Sequence, residues 1–161
     1  MKEYNWHKHT KGDKVVTICD KNCNIILPIV VALGNRNEIA LLVPAMSNLR
    51  KIAKLIGLEL SGSTMSLDGV YNSRKNRKAI FNLGMTPNIP ENKRNRKKPK
   101  LGRKQTYHPE IFKERFRTIE RVFAWGYKFK RLLLRFEFHS IHHYAMKAIA
   151  YSMINLRYFC G

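Results

Sequence analysis

The sequence has few acidic residues, few cysteines and no long apolar run. Its 161 residues include 31 Lys and Arg but only 11 Asp and Glu, which gives a formal charge of +20. No apolar stretch approaches the roughly 20 residues of a membrane-spanning helix. The polar N-terminus lacks the apolar core of a signal peptide. We therefore expect a cytoplasmic protein without a membrane segment.

The three cysteines exclude a disulfide framework, because Cys19, Cys23 and Cys160 are too few and too scattered. A few scattered cysteines are typical of proteins that fold in a reducing cytoplasm. Cys19 and Cys23 lack the second pair of ligands that a structural zinc site needs, so the sequence does not favour zinc.

The positive charge is concentrated in the second part of the chain. Residues 1–68 carry nine Lys/Arg against six Asp/Glu, a net +3, whereas residues 69–161 carry 22 against five, a net +17. Such charge attracts polyanions. Nucleic acid is the leading partner, because basic side chains neutralise phosphates and release counterions.

The densest basic segment lies within residues 91–109, where eight of the twelve residues from Lys93 to Lys104 are Lys or Arg. With almost nothing to bury, this segment is predicted to be a flexible loop until it meets an anion. It is either a solvated linker or a contact for phosphates. Its candidate DNA-binding residues are Lys93, Arg94, Arg96, Lys97 and Lys98.

The apolar pattern predicts one α/β domain over residues 1–161. Residues 15–19 and 25–32 form a predicted hairpin around the turn-forming residues 20–24. The second strand is almost wholly apolar, which indicates burial on both faces, and Pro28 indicates a bulge or an unpaired amide. Further predicted elements are helices over 38–60, 73–83, 109–137 and 140–158, and short strands over 64–67 and 85–89.

Residues 117–137 are predicted to form one amphipathic helix. Five cations share an arc of roughly 80° in a helical projection: Arg117, Arg121, Lys128, Arg131 and Arg135. Glu120 lies at the margin of this arc, and an apolar face that includes Trp125 and Phe136 lies opposite. An acid beside a row of cations suits chemistry on a polyanion. The alternative is a surface helix whose acid forms i,i+4 pairs.

Among the eleven acids, Asp68 and Glu120 are the best candidates for a divalent-metal site. Phosphoryl transfer on DNA commonly uses two metal ions held by carboxylates, which are best placed at strand ends or on rigid helices. Asp68 follows a predicted strand and Glu120 lies on the anchored helix. The other acids resemble turn, cap or surface residues, among them Asp13, Asp20, Glu59, Glu91 and Glu137.

Several motifs resemble bacterial insertion-sequence transposases of the DDE type. The most specific are Ser-Leu-Asp-Gly-Val-Tyr over residues 66–71 and Thr-Ile-Glu-Arg-Val-Phe-Ala-Trp over 118–125. The segments 9–14, 34–38, 78–81, 88–90 and 131–137 are also similar to that family. The resemblance spans nearly the whole chain.

The resemblance implies an RNase H-like α/β fold, a mixed sheet flanked by helices, with three acids that hold two Mg²⁺ (or Mn²⁺) ions. By position, Asp68 matches the second Asp of that family and Glu120 matches its Glu. The implied activity is cleavage of double-stranded DNA at transposon ends and joining of the freed 3′-OH to a target strand. The implied location is the nucleoid.

The first Asp of the family has no counterpart, because Asp13 precedes the first predicted strand of the hairpin and Asp20 lies in its turn. The chain thus resembles the C-terminal part of a catalytic domain that lacks its first strand. An upstream transposase segment or a homo-oligomer is the expected partner. The alternative function is a non-catalytic DNA-binding fragment that regulates a full-length transposase.

Two aromatic features leave alternatives open. His139, His142 and His143 place imidazoles on one helical face, for phosphate contact, a surface role or metal binding. Trp125 either stacks on a flipped base or packs in the core with Val122 and Phe129.

Overall fold

The computed structural model describes residues 4–5, 10–11, 13–91, 105–134 and 136–157. Its strands are β1 (Tyr4–Asn5), β2 (Thr10–Lys11), β3 (Asp13–Cys19), β4 (Ile25–Leu33), β5 (Thr64–Ser66) and β6 (Thr86–Asn88). Its helices are α1 (Glu38–Ile56), α2 (Arg74–Phe81), α3 (Pro109–Lys128), α4 (Lys130–Leu134) and α5 (Ser140–Leu156), with a 3₁₀ turn at Gly69–Tyr71. The predicted mixed α/β class is confirmed.

The described strands pair two by two. β1 and β2 are antiparallel, β3 and β4 form an antiparallel hairpin, and β5 and β6 are parallel. Over the described residues, no strand pairing joins the hairpin to the β5–β6 pair. The described strands therefore do not form one continuous sheet.

The β3–β4 hairpin forms as its turn residues predict. Asp20 Oδ1 accepts hydrogen bonds from the backbone nitrogens of Asn22 (2.9 Å) and Asn24 (2.8 Å), which closes an Asx turn. The register shifts between Val16 and Ile18, opposite the part of β4 that contains Pro28. The predicted bulge is therefore confirmed.

The hairpin separates two apolar cores, because its side chains alternate between its two faces. Val16, Ile18, Ile26 and Val30 pack with a core that is built from α1, α2 and the β5–β6 region and includes Leu42, Leu49, Met65, Ile80 and Ile89. Val15, Leu27 and Val31 face a second core that includes Ile29, Val122, Tyr151 and Ile154. Helices therefore cover both faces of the hairpin, and the predicted double burial of β4 is confirmed.

Three helix ends follow local signals. The Asn37 side chain accepts a hydrogen bond from Ile39 N at 3.0 Å, and Ser73 Oγ accepts one from Asn76 N at 3.2 Å. Both are N-caps. Gly57 caps α1 at φ 67°, so the helix ends at Ile56, four residues before the end predicted at Leu60. Within the described residues, none of the helices is long and apolar enough to span a membrane.

The single helix predicted over residues 117–137 is wrong beyond Lys128. Phe129 leaves the helical conformation at ψ 90°, and its backbone nitrogen donates to Gly126 O at 3.2 Å. Phe136 was predicted to be buried but is 68% exposed. The predicted arc of five cations is therefore divided: three lie on α3 and Arg131 lies on α4, while Arg135 lies outside the described residues.

Candidate functional site

Asp68 lies two residues beyond β5, at the start of the 3₁₀ turn, with its side chain exposed. Leu67 N donates to Asn88 O at 3.1 Å, and Tyr71 N donates to Asp68 O at 3.0 Å. The acid thus follows the carboxyl end of a parallel strand pair, where α/β proteins commonly place ligand sites.

Two buried polar side chains of α2 support the turn that follows Asp68. Arg77 donates from Nε to Asn72 Oδ1 at 2.9 Å and from Nη2 to Ile89 O at 2.8 Å. Burial lowers the pKa of the Arg77 guanidinium. Asn76 Nδ2 donates to Tyr71 O at 3.1 Å. The C-terminal end of the Gly69–Tyr71 turn is therefore fixed to the helix that follows it.

Glu120 lies on the exposed side of α3, between the exposed residues Arg117 and Arg121. The opposite side of α3 is anchored by Val122, which is 0% exposed. A Cβ atom on Gly126 would lie 3.4 Å from Tyr151 Cε1, so the helix approaches α5 closely there. Glu120 therefore projects from a well-packed helix.

Asn88 connects the scaffold of Asp68 to the helix of Glu120. Its Oδ1 accepts a hydrogen bond from His108 N at 2.8 Å, and its Nδ2 donates to His108 O at 3.0 Å and to Ser66 Oγ at 3.3 Å. Asn88 is 1% exposed. The N-terminus of α3 is thereby joined to β6 and β5.

The residues that precede the two acids line one cavity. Leu67, next to Asp68, and Ile119, next to Glu120, both line a cavity of about 440 Å³ between β3, β5 and α3. No group of three or more His, Cys, Asp or Glu side chains suited to a metal ion occurs in the described part of the chain. Neither Asp68 nor Glu120 is itself among the residues that line this cavity, so the joint binding of one metal site by the two acids stays a prediction.

The surroundings of Asp68 include a second acid. The pKa of Tyr71 is raised to about 12, first by burial and then by the negative charges of Glu38 and Asp68, while the Arg115 guanidinium opposes the rise. Glu38 also pairs with Lys14, Nζ to Oε1, at 3.4 Å. Sequence reasoning gave Glu38, Arg77 and Asn88 no role. For Glu38, the available signal was its position at the start of α1, as the last residue of the segment 34–38 that resembles the family.

The predicted DNA-binding residues have different surroundings. Arg117, Arg121 and Lys128 are exposed on α3, whereas Arg131 Nε donates to Glu137 Oε1 at 2.6 Å. Lys93, Arg94, Arg96, Lys97, Lys98 and Arg135 lie outside the described residues. The segment 91–109 is described only at Glu91 and from Gln105 onward.

Glu137 lies between α4 and α5 and is buried, so of its predicted turn, cap and surface roles the surface role is wrong. The hydrogen bond from Arg131 is the main cause that lowers its pKa to about 2. His143 is buried beside it, with Nδ1 3.4 Å from Glu137 Oε2. The prediction of a surface or phosphate-contact role is therefore wrong for His143, while His139 and His142 are exposed.

Trp125 packs with the second core, which confirms the core interpretation of this side chain. The Arg157 guanidinium lies 3.9 Å from the centre of its ring. Such a cation–π contact fixes the indole in place.

Comparison with protein families matches residues 2–153 to the family described as the transposase DDE domain. No curated protein and no solved structure matches the chain. The matched range includes the Asp68 turn and the Glu120 helix and agrees with the motif resemblance. The chain belongs to the family of DDE transposases.

Proposed function

We propose that the chain acts in DNA transposition by binding DNA and by supplying Asp68 and Glu120 as ligands of a divalent-metal site that cleaves and joins strands. The observation that carries the proposal is the cavity that Leu67 and Ile119 share, because it brings the chain segments of the two acids close to each other, although neither acid lines it. Family membership supports DNA as the substrate. The site then serves transposon ends and target DNA.

The described donors fit part of such a metal site. Carboxylate oxygens are the protein ligands that Mg²⁺ prefers, and Mn²⁺ accepts the same donors. Asp68 and Glu120 are both exposed and available, but two carboxylates do not complete a two-metal centre. The remaining donors are DNA phosphates, water and a further protein segment. When bound, the metal supplies Lewis-acid activation of the phosphate.

In this proposal Glu120 binds the metal ion, and the basic residues next to it bind the DNA backbone. Arg117 and Arg121 flank the acid and are exposed, so they are placed to neutralise phosphates beside the metal ligands. Lys128 extends this basic surface toward the end of α3. The segment 93–98 adds sequence-independent phosphate contacts, and Arg131 and Arg135 add further ones.

The finer fold assignment that we propose is an RNase H-like domain over residues 1–161 that lacks its first strand. The element order β3–β4–α1–β5–α2–β6–α3 and the helices on both faces of the hairpin support this assignment. An upstream transposase segment or a second copy then completes the domain. Its place of action is the nucleoid of the cytoplasm, where the substrate DNA lies.

Metal binding tests the two ligands without requiring activity. Titrate Mn²⁺ into the chain with duplex DNA present, and follow free Mn²⁺ by electron paramagnetic resonance. Asp68→Asn and Glu120→Gln are each expected to weaken binding by about tenfold or more, which corresponds to ~1.4 kcal/mol. Glu110→Gln, which changes another exposed acid of α3, is the matched control. Equal affinity in all four proteins would contradict the proposed ligands.

The second candidate function is that of a DNA-binding regulator that competes with a full-length transposase. The absence of a third clustered donor among the described residues favours it. A regulator binds transposon-end DNA and lowers joining by the full-length enzyme in a mixed assay. A catalytic component raises joining when the missing segment is added.

A further inference from the structure

The helix α5 is apolar on its exposed side as well as on its buried side. Its buried side includes Tyr151 and Ile154, which belong to the second core. On the other side, five apolar residues lie within an arc of about 120° and are exposed in the described part of the chain: Ile141, Ala145, Ile149, Met153 and Leu156. All except Ala145 are more than half exposed. Helices that are apolar all round are usually buried, and contiguous exposed apolar stripes commonly mark interaction sites.

An apolar groove adjoins this stripe on the side of α4. The groove has a volume of about 260 Å³ and lies between residues 129–132 and α5. Ile149 and Met153 belong both to the stripe and to one wall of the groove, while Phe129 and Leu132 line the other wall. At 1.5 Å per residue, the stripe extends about 22 Å along α5, which is roughly four helical turns. The stripe and the groove therefore form one elongated apolar surface.

The charges beside this surface have one sign. Lys130 is exposed, and the side chain of Arg131 is 62% exposed at the edge of the groove. The sequence of α5 contains one charged residue, Lys147, and no Asp or Glu. The only acid among residues 129–157 is Glu137, which is buried and bonded to Arg131. A molecule that covers the apolar surface therefore meets exposed positive charge along the α4 edge.

We propose that the stripe and the groove form a helix-docking surface, which binds one acidic amphipathic helix of a partner protein. The partner helix lies along α5 and places its apolar face on the stripe and in the groove, as helices that dock in grooves do. Asp or Glu residues line the edge of the partner helix that meets Lys130. This inference goes beyond the proposed function, because helix docking involves neither Asp68 nor Glu120 nor a metal ion.

An acidic helix fits this surface better than a strand, DNA or a second copy of the chain does. The backbone groups of α5 are bonded within the helix, so the partner must also satisfy its own backbone internally, which a helix does and a single strand does not. DNA phosphates can contact Lys130 but do not cover an apolar stripe. A twofold contact between two copies sets the same patch against itself, so positive edges face a surface without exposed acids, and a charge of +20 on each copy adds repulsion.

A designed peptide tests the helix-docking surface. The probe has about 16 residues, with Leu at every third or fourth position along one face, Glu along one edge of that face, Ala and Gln elsewhere, and blocked ends. Isothermal titration into the full chain at ~0.15 M NaCl, which screens distant charges, is expected to show one saturable site with a negative heat-capacity change. A scrambled peptide of the same composition and charge is expected to bind at least about tenfold more weakly.

Matched substitutions locate the apolar part of the binding site. The double variant Ile149→Gln with Met153→Gln is expected to weaken binding of the probe by about tenfold or more. The double variant Leu55→Gln with Ile56→Gln changes two residues of α1 that are also more than half exposed, and it is expected to leave binding unchanged. Ile141→Gln replaces the first variant if circular dichroism shows that variant to be misfolded.

A further substitution tests the acidic edge of the partner helix. Lys130→Gln is expected to weaken binding of the probe about two- to fivefold, as loss of an exposed ion pair does. It is expected to leave unchanged the binding of a second peptide in which Gln replaces every Glu. Lys51→Gln removes an exposed cation of α1 and is the matched control for loss of one positive charge.

Four results would overturn the inference. The first is absence of binding, or binding that the scrambled peptide and the Ile149→Gln, Met153→Gln variant match in full, because simple attraction to a basic chain would explain it. The second is self-association that this variant abolishes and the probe reverses, because it would identify a second copy as the occupant. The third is loss of affinity for duplex DNA in the same variant, which would identify DNA. The fourth is binding of the probe only in a Tyr158→Ser, Phe159→Ser variant, which would identify the chain's own C-terminal residues.

Discussion

The side chain of Asn88 forms two hydrogen bonds to the backbone of His108, with Oδ1 accepting at 2.8 Å and Nδ2 donating at 3.0 Å. His108 directly precedes α3 and provides no side-chain cap. Asn88 Oδ1 therefore satisfies the His108 N–H, a donor that the start of the helix leaves open, while the His108 carbonyl also accepts from Phe112 N. Because β6 pairs with β5, this contact also sets the start of the Glu120 helix relative to the strand that precedes Asp68.

Replacement of Asn88 should destabilise the fold and loosen the start of α3. Asn88→Ala removes both contacts to His108, and we expect the free energy of unfolding to fall by about 1–3 kcal/mol. Amide exchange should become faster at residues 108–112. Urea unfolding and hydrogen exchange measure the two effects. Asn82→Ala, at an exposed position after α2, is the matched control, and an equal loss of stability in both variants would contradict the role of Asn88.

Alanine substitution should change the free energy of unfolding in opposite directions at Gly126 and at Gly57. Gly126 lies inside α3, and a Cβ there would lie 3.4 Å from Tyr151 Cε1, an ordinary contact distance. We expect Gly126→Ala to raise the free energy of unfolding by up to about 1 kcal/mol through helix propensity. Gly57 has φ 67°, so Gly57→Ala should lower it by about 1 kcal/mol. Thermal unfolding of both variants checks the signs, and a destabilised Gly126→Ala would show that α5 cannot adjust.

Local signals predicted the hairpin, its bulge and the starts of α1 and α2. Asp20 with Asn24, Asn37 and Ser73 all act on backbone groups within a few residues, so the sequence alone is sufficient there. The break at Phe129 was missed because phenylalanine carries no breaker signal there. Gly126 remains helical despite its low helix propensity, and it lies close to Tyr151 of α5.

The side chains that hold the candidate site in place could not be predicted from local sequence signals. Asn88 contacts His108 across 20 residues of sequence, and Arg77 contacts the carbonyl of Ile89 from another element. The carboxylate of Glu137 contacts Arg131 of α4 and His143 of α5. Such pairs form only when the elements pack. By contrast, Asp68 and Glu120 were identified from their local positions and from the family motifs.

The pair Arg131–Glu137 should make stability depend on pH. The folded pKa of Glu137 is about 2, below its ordinary 4.5. A depressed folded pKa gives stability that is present above pH ~4.5 and is lost as the pH falls toward about 2. Urea unfolding should show that Glu137→Gln is less stable than the wild type near neutral pH and that this difference shrinks across the window.

The exposed acid Glu110 provides the comparison for that experiment. Glu110→Gln should change stability less than Glu137→Gln does near neutral pH. A difference between wild type and Glu137→Gln that stays constant from neutral pH to pH 2 would show that the carboxylate charge of Glu137 does not stabilise the fold.

DNA binding should depend on salt through the basic surface of α3. Arg117→Ala and Arg121→Ala should each reduce the slope of log K against log salt by about 1, because each removes one phosphate contact. Fluorescence anisotropy with a labelled duplex at several NaCl concentrations measures the slopes. Lys51→Ala and Lys54→Ala change exposed cations of α1 and should have smaller effects. If the α1 variants reduce the slope as much as the α3 variants do, DNA does not bind mainly at the basic surface of α3.

The chain alone should not join transposon-end DNA to a target. In-line displacement at two metal ions needs ligands that hold both ions, and the described residues provide no clustered third donor beside Asp68 and Glu120. Mg²⁺ requires near-ideal geometry, so one ion should be held weakly, and each ~1.4 kcal/mol added to the barrier slows joining tenfold. The assay incubates the chain with Mg²⁺ or Mn²⁺ and pre-nicked end DNA, with and without an upstream transposase segment.

The outcomes of the joining assay separate the proposed functions. Joining only with the added segment would support a catalytic component that is completed by another strand. DNA binding without joining in either case would support the regulator. Joining by the chain alone, lost in Asp68→Ala, would contradict the prediction and place a third ligand within this sequence. Glu38 is then the first residue to test, because its charge, like that of Asp68, raises the pKa of Tyr71. In that case Glu38→Gln should abolish joining while DNA binding persists.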